Sequence, residues 1–168
     1  EMFDSVIYNI NKFFKGEAHI MDINGKRGTK TLKDLIHTPD LAVVMLPPKD
    51  SIEQVENCST IGVKAFLLLT GGFKDSQRKL LSDLRHKYSI RILGPNTILG
   101  VINTSNGLNT TFERDIMPPE GSIAVISQSG GVGACLLDWT CYYGVGVSKF
   151  AFMGDKTDID DVDLLSYL

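Results

Sequence analysis

The chain has 168 residues, which is enough for one well-packed domain or for parts of two. Its hydrophobic content of 43% and charged content of 22% are ordinary for a soluble globular protein. A net charge of −3 with no basic block argues against a nucleic-acid surface, and apolar runs such as Ala65–Leu69 are far too short to cross a membrane.

The first part of the sequence alternates between helix-like and strand-like segments. Apolar residues at helical spacing predict helices, unbroken apolar runs predict buried strands, and Ser51 with Gln54 has the spacing of a capping box. The predicted strands are Ala18–Ile23, Leu41–Leu46, Val63–Leu69 and Ile90–Leu93, and the predicted helices are Val6–Phe14, Thr31–His37, Ser51–Thr60 and one beginning at Asp75 or Ser76. This alternation predicts a parallel sheet with right-handed crossovers.

The character of the sequence changes between Gly94 and Gly121. This stretch is rich in Asn, Thr, Gly and Pro and has no sustained helical period. It is typical of a functional loop followed by a linker between two units. A second strand–helix series begins at Ser122.

The most informative turn lies between the strand "IAVI" and the amphipathic run "VGACLLDW", where the sequence reads "SQSGG" (Ser127–Gly131). Backbone N–H groups at the start of a helix have no intrahelical partner, and the helix dipole adds partial positive charge there. Glycines allow close approach of an anion, and serine hydroxyls supply further donors. The turn is therefore suited to binding phosphate, while a serine cap without a ligand is the simpler alternative.

Two competing motifs at the same turn are disfavoured. Ser127-x-Ser129-x-Gly131 resembles a hydrolase nucleophile elbow, but that arrangement needs a histidine later in the chain and none follows Ser129. Gly131-x-Gly133 lacks the third glycine of the dinucleotide fingerprint, and no acidic residue follows at the usual distance.

Three cysteines and three histidines complete the set of reactive side chains, and neither group has a pattern typical of a site. No cysteine pair has metal-ligand spacing, so free intracellular thiols are expected. The histidines are scattered and are expected at the surface. These residues are Cys58, Cys135, Cys141, His19, His37 and His86.

The ordered run of motifs in this sequence resembles the NDP-forming acyl-CoA synthetases, which include ADP-forming acetate–CoA ligases and the α subunit of succinyl-CoA ligase. The resemblance rests on "LAVVMLPP", "GVKAFLLLTGGF", "YSIRILGPN", "GPNTILGVINTSNGLNTTF" and "GSIAVISQSGGVGACLLDW", in that order. It covers nearly the whole chain. It implies an α/β fold: a Rossmann-like CoA-binding domain over residues 1–115 and the beginning of a flavodoxin-like ligase domain over residues 116–168.

The resemblance also implies roles for particular residues. Ser127, Gln128, Ser129, Gly130 and Gly131 would hold the phosphate of a phosphohistidine formed during turnover. The acyl phosphate and thioester chemistry would occur at a loop that contains Gly94, Pro95, Asn96, Gly100 and Val101. The CoA cleft would be lined by Lys26, Pro47, Pro48, Thr70, Gly71 and Gly72.

Three departures from the family pattern limit what this chain is expected to do alone. The family's opening strand and glycine-rich loop are absent, and the chain ends before the position of the phosphorylated histidine, so no catalytic residue is assigned. The loop "GPNTILGV" is one residue longer than the "GPNCLGV" type.

The crowded residues Asp155, Asp158, Asp160, Asp161 and Asp163 lack calcium-loop spacing and suit the start of a last helix, so no metal is assigned.

The whole enzyme would convert an acyl-CoA, ADP and phosphate to a carboxylic acid, CoA and ATP. Coenzyme A is then the ligand of this chain, and ADP or ATP with Mg²⁺ would bind a separate ATP-grasp subunit or domain. We expect a cytoplasmic oligomer, poorly stable as this chain alone, with no nucleic-acid or membrane partner. The alternative is a non-catalytic CoA-sensing module of a protein acyltransferase.

Overall fold

A computed structural model of the chain describes residues 2–22, 31–32 and 35–168. The first sheet has three parallel strands in the order β1–β2–β3, as the alternation predicts. Its strands are β1 (Leu41–Val44), β2 (Ala65–Leu68) and β3 (Arg91–Leu93), with Leu41 opposite Ala65 and Ala65 opposite Arg91.

Two crossover helices cover this sheet and form its core. They are α2 (Pro48–Thr60) and α3 (Asp75–Tyr88). Val55 of α2 and Leu81 of α3 pack with Phe66, Leu68 and Ile92 of the strands in one buried cluster. The burial of these apolar side chains is the main stabilising contribution to the sheet.

The N-terminal helix α1 (Met2–Phe13) joins this sheet to the second part of the chain. Its Val6 is fully buried against Leu67 and Leu69. Its Asn9, also fully buried, donates from Nδ2 to the carbonyl oxygens of Thr111 (3.0 Å) and Glu113 (2.9 Å). Because these bonds satisfy a buried amide, they hold the chain around residue 112 against the helix.

The second sheet has four strands in the order β5–β4–β7–β6. Strand β4 is antiparallel to both of its neighbours, and β6 is parallel to β7. The strands are β4 (Val101–Asn103), β5 (Leu108–Asn109), β6 (Glu120–Ser127) and β7 (Val147–Phe152), with helices α4 (Gly130–Tyr143) and α5 (Asp161–Tyr167). The linker expected between Gly94 and Gly121 thus contains a short hairpin. Since β4 of this hairpin pairs with β7, which lies beyond residue 116, the domain boundary stays a prediction.

Three local predictions were wrong. Residues 18–22 are not a strand, and residues 35–37 are not helical; the remainder of those two predictions falls partly outside the described residues. Helix α2 begins at Pro48, where the fixed φ of proline suits a first helical turn. Ser51 does not cap it, because its Oγ donates to the carbonyl of Leu46 (2.7 Å).

In the described part of the chain, every helix is too short or too polar to cross a bilayer.

Candidate functional site

The turn between β6 and α4 holds the predicted phosphate-binding residues. Ser129 is the N-cap of α4, and its Oγ accepts a hydrogen bond from the N–H of Val132 (3.3 Å). Ser127 is buried at the end of β6, and its Oγ donates to the carbonyl oxygen of Ser129 (3.0 Å). These bonds fix the turn as the start of a regular helix, which is the arrangement that the serine and glycine pattern predicts.

The same turn presents backbone donors to solvent. Among the described residues, the N–H groups of Gly130 and Gly131 have no hydrogen-bond partner, and Gly131 is exposed. They lie at the positive end of a helix of fourteen residues. Donors of this kind are the ones that bind phosphate at helix N-termini.

An open groove of about 690 Å³ continues from this turn along α4. It is lined by Ser129, Gly131, Val132, Cys135, Leu136 and Trp139. Its apolar part is exposed, since Trp139 keeps 50% of its surface accessible.

The predicted CoA-binding residues lie at the carboxyl ends of neighbouring parallel strands. Pro47 and Pro48 follow β1, and the turn Thr70–Gly72 follows β2. Thr70 Oγ1 donates to the carbonyl oxygen of Leu46 (2.6 Å), which joins the two strand ends. This edge of a parallel sheet is where such folds bind ligands. Lys26 lies outside the described residues.

The predicted acyl loop begins at the carboxyl end of β3 and is held tightly. The N–H of Asn96 donates to the carbonyl of Thr70 (2.9 Å), and Thr97 Oγ1 donates to the carbonyl of Leu68 (2.8 Å). Gly94 has a φ of +107°, and a Cβ there would lie 2.7 Å from the carbonyl oxygen of Leu68. Only glycine fits this position without strain. The structure therefore brings Gly94, Pro95 and Asn96 beside Thr70–Gly72.

Gly100 and Val101 occupy a different place from the rest of the predicted acyl loop. Val101 is the first residue of β4 in the second sheet, and its N–H donates to Thr110 Oγ1 (2.8 Å). The carbonyl oxygen of Gly100 accepts from the N–H of Phe152 (3.0 Å) at the end of β7. The loop thus passes from the first sheet to the second.

A segment whose contacts the sequence does not predict lies between the predicted acyl loop and the predicted phosphate turn. We call residues 153–157 the connecting loop. Its first residue, Met153, donates its N–H to the carbonyl of Ser127 (3.0 Å), and the N–H of Asp155 donates to the carbonyl of Pro95 (2.8 Å). The available signal was a glycine followed by an acidic residue in the sequence, but nothing local indicates which distant segments the loop contacts.

The acidic residues around the connecting loop are engaged with protein partners. Asp160 caps α5, as expected of a carboxylate at the start of the last helix, accepting from the N–H groups of Val162 (2.9 Å) and Asp163 (3.0 Å). The N–H of Asp160 and the guanidinium of Arg91 lower the pKa of Asp163. Within the described residues, no cluster of three or more potential ligands could hold a metal ion.

Asp158 has a different role from the capping residues. Its side chain is only 1% exposed and lies between two arginines, Arg85 (Nε to Oδ1, 2.6 Å) and Arg91 (Nε to Oδ2, 3.0 Å). Its Oδ2 also accepts the N–H of Ile92 (2.7 Å), whereas the contact of Oδ1 with Arg85 lacks hydrogen-bond geometry. Asp158 therefore attaches the chain directly after the connecting loop to α3 and β3.

The fold and the positions of the two predicted sites are typical of an α/β ligand-binding protein. A parallel sheet presents a ligand edge at its strand ends, and a helix N-terminus suited to phosphate lies beyond it in the chain. Residues 17–103, more than half of the chain, match the family described as CoA binding domain. Residues 120–168 match the succinyl-CoA ligase like flavodoxin domain.

Similar full-length proteins agree with these two matches. The chain is 38% identical over 176 residues to the α subunit of ADP-forming acetate–CoA ligase I of Pyrococcus furiosus, covering 98% of this chain and 36% of that protein. It is 33% identical over 167 residues to the α subunit of isoform II of the same organism, covering 96% and 36%. The chain therefore spans about a third of the length of these relatives.

A solved structure gives the same result. The dinucleotide-forming acetyl-coenzyme A synthetase 1 of Ca. Korarchaeum cryptofilum, in complex with phosphate and ADP, matches with a TM-score of 0.85 and 30% identity. The match covers 99% of this chain and 38% of that one. The chain belongs to the NDP-forming acyl-CoA synthetase family, as the ordered motifs indicate, and the predicted α/β fold with Rossmann-like and flavodoxin-like parts is confirmed.

Proposed function

We propose that this chain is the CoA-binding and phosphate-binding part of an ADP-forming acyl-CoA synthetase. The complete enzyme converts an acyl-CoA, ADP and phosphate to a carboxylic acid, CoA and ATP. One observation carries the proposal: within a chain of this family, a single connecting loop is hydrogen-bonded both to the phosphate-suited turn and to the loop at the ligand edge of the parallel sheet.

Ser127–Gly131 is proposed as the phosphate site. The free N–H groups of Gly130 and Gly131 supply donors at the positive end of α4. Gln128 is fixed by donating from Nε2 to the carbonyl of Gly154 (3.2 Å). The phosphorylated histidine of this family is expected in a part of the protein other than residues 1–168, and it would deliver its phosphoryl group to this turn.

The edge formed by Pro47, Pro48 and Thr70–Gly72 is proposed to bind CoA, with Lys26 as a further cation. Gly72 suits such a surface, because a Cβ there would meet no atom within 4 Å, so the backbone is open to a ligand. The thioester of the acyl-CoA would then lie near Gly94, Pro95 and Asn96, with Gly100 and Val101 further along the same loop.

The proposed reaction has three steps. A phosphate oxygen attacks the thioester carbonyl carbon, the C–S bond breaks, and CoA leaves as the thiol. The acyl phosphate transfers its phosphoryl group to the histidine and releases the carboxylate. The phosphohistidine then transfers that group to ADP, which we propose is bound with Mg²⁺ on an ATP-grasp subunit or domain. The acid itself is proposed only as a small carboxylic acid.

An assay of the complete protein with its ATP-grasp partner tests this proposal. Acetyl-CoA, ADP and phosphate are supplied together, and ATP, free CoA thiol and acetate are measured. We expect the three products in equal amounts and no ATP when phosphate is left out. Binding of CoA without ATP formation from acetyl-CoA or other small acyl-CoA compounds would contradict the enzyme and favour the CoA-sensing module.

A further inference from the structure

The connecting loop makes hydrogen bonds to both proposed sites. On one side, Met153 and Gly154 bind the phosphate turn through the carbonyl of Ser127 and the side chain of Gln128. On the other side, the N–H groups of Asp155 and Thr157 donate to the carbonyls of Pro95 (2.8 Å) and Gly94 (3.1 Å). The relative position of the two sites therefore depends on this loop.

At Gly154 the connecting loop and the acyl loop approach too closely for any residue other than glycine. Gly154 has a φ of +61°, and a Cβ on it would collide with the carbonyl oxygen of Pro95 and the backbone of Asn96. The connecting loop and the acyl loop are thus in backbone contact, without an intervening side chain.

Asp155 carries the side-chain part of this connection. Its Oδ1 accepts from Asn96 Nδ2 (3.2 Å), and its Oδ2 accepts from Arg78 Nη1 (3.1 Å). Arg78 is itself held by Asp75, whose hydrogen bond is the main cause of the raised pKa of Arg78. The carboxylate of Asp155 is 26% exposed, so it is partly protected from solvent screening.

A carboxylate at this position determines the orientation of the Asn96 carboxamide. A carboxylate can only accept, so the amide must direct its Nδ2 toward Asp155. Its Oδ1 then lies on the side of Gly71, where an added Cβ would be 2.6 Å away. Asn96 is therefore fixed between the turn after β2 and the connecting loop.

We infer that Asp155 is a positioning residue of the synthetase reaction: it orients Asn96 at the acyl site and keeps the acyl loop in place relative to the phosphate turn. The inference rests on the proposed function, because phosphate must reach the acyl carbon in a defined geometry. Misplacement of reacting groups by about 1 Å can cost a hundredfold in rate.

The test uses the complete enzyme with Asp155→Asn. An asparagine has the same shape but carries an amide nitrogen in place of one carboxylate oxygen, so it cannot accept from Asn96 and Arg78 at the two positions where Oδ1 and Oδ2 accept. We expect kcat for phosphate-dependent ATP formation to fall about 10- to 100-fold, while the KM for acetyl-CoA changes little, because the CoA edge is not altered.

Two controls separate positioning from a purely structural role. Arg78→Gln breaks the same ion pair but leaves the Asn96 contact, so it should lower kcat much less than Asp155→Asn. Asp161→Asn removes a nearby exposed carboxylate that pairs with Lys156 (3.1 Å) and should leave kcat unchanged. If Arg78→Gln is as harmful as Asp155→Asn, the ion pair matters and the positioning role is wrong.

Asn96→Gly tests the inference on its own if Asp155→Asn does not fold. Glycine accepts the φ of +65° at this position and removes the carboxamide. If Asp155→Asn does fold, loss of kcat in Asn96→Gly with little additional loss in the double variant supports positioning through Asn96. Wild-type kcat in Asn96→Gly overturns it.

The results also distinguish the inference from the proposed function. An active wild-type enzyme whose Asp155→Asn variant matches Asp161→Asn overturns the positioning role alone. A wild-type enzyme with no ATP formation overturns the proposed function and the positioning role together.

Discussion

The two proposed sites are built in opposite ways. The phosphate turn is local: five consecutive residues, Ser127–Gly131, form it, and its donors point to solvent. The acyl loop is buried at Gly94 and Pro95 and is held by partners far away in the chain, including Leu68, Thr70 and Asp155. One site is a feature of a strand–helix junction, and the other is a product of tertiary packing.

This difference determines how each site responds to change. A substitution in the turn should alter anion binding while the fold survives, because few other groups depend on it. A substitution in the acyl loop should alter stability first, because the loop joins the first sheet to the second through buried hydrogen bonds.

Gly94→Ala should have the largest effect and would break the acyl loop. The new Cβ would meet the Leu68 carbonyl at a φ of +107°. We expect the free energy of unfolding to fall by about 2–4 kcal/mol, since a strained backbone and a steric overlap add. Urea denaturation monitored by circular dichroism measures this; unchanged stability would contradict the account of the loop.

Asp158→Asn should have the next largest effect, because it leaves Arg85 and Arg91 without a buried counter-charge. We expect a loss of about 2 kcal/mol, which is less than for a fully buried pair because both arginines remain partly exposed. The matched variant Asp161→Asn, at an exposed position, should change stability by less than about 0.5 kcal/mol in the same denaturation experiment. Equal losses in the two variants would contradict a special role for Asp158.

Gly131→Ala should have the opposite effect to Gly94→Ala, because it should change ligand binding and not stability. A Cβ at Gly131 would meet no atom within 4 Å, so the fold should tolerate alanine. Thermal unfolding should be unchanged or slightly raised, because alanine favours a helix over glycine. Phosphate affinity, measured by calorimetry on the complete protein, should nevertheless fall several-fold, because the Cβ obstructs close approach to the N–H groups. Unchanged affinity would mean that an anion does not approach this backbone.

Glu56→Gln should have the smallest effect and serves as a reference remote from both sites. Hydrogen bonds from Lys87 (2.8 Å) and Tyr88 (3.2 Å) lower the pKa of Glu56. A lowered carboxyl pKa contributes stability above the usual value of 4.5 and loses it as the pH falls through the lowered pKa. The variant should therefore melt slightly below the wild type at neutral pH, and the difference should shrink as the pH falls below 4.5. A difference that grows in acid would have the wrong sign.

The sequence predicts the parts of this molecule that depend on local chemistry. The strand–helix turn at Ser127–Gly131, the three parallel strands and the carboxylates at the start of the last helix follow from spacing, apolar runs and the preference of carboxylates for helix starts. The contacts of the connecting loop could not be predicted in the same way, because Asp155 and Asn96 are 59 residues apart and nothing local to either residue indicates the other as its partner.

The errors have two causes, a pairing between distant strands and a competing hydrogen bond close by in the chain. The hairpin of β4 and β5 is formed by two very short strands, and the pairing of β4 with β7 becomes favourable only in the complete sheet. Ser51 has the spacing of a capping box, but the nearby carbonyl of Leu46 is its partner, and proline starts the helix instead.

The central claim is that the turn Ser127–Gly131 binds phosphate, and calorimetric titration of inorganic phosphate into the complete protein tests it most directly. Ser129→Asp is the matched variant, because aspartate caps a helix as well as serine does but adds a negative charge beside the free N–H groups. We predict saturable binding to the wild type and none to the variant, with equal thermal stability. Equal phosphate binding by both proteins, or none by the wild type, would contradict the account.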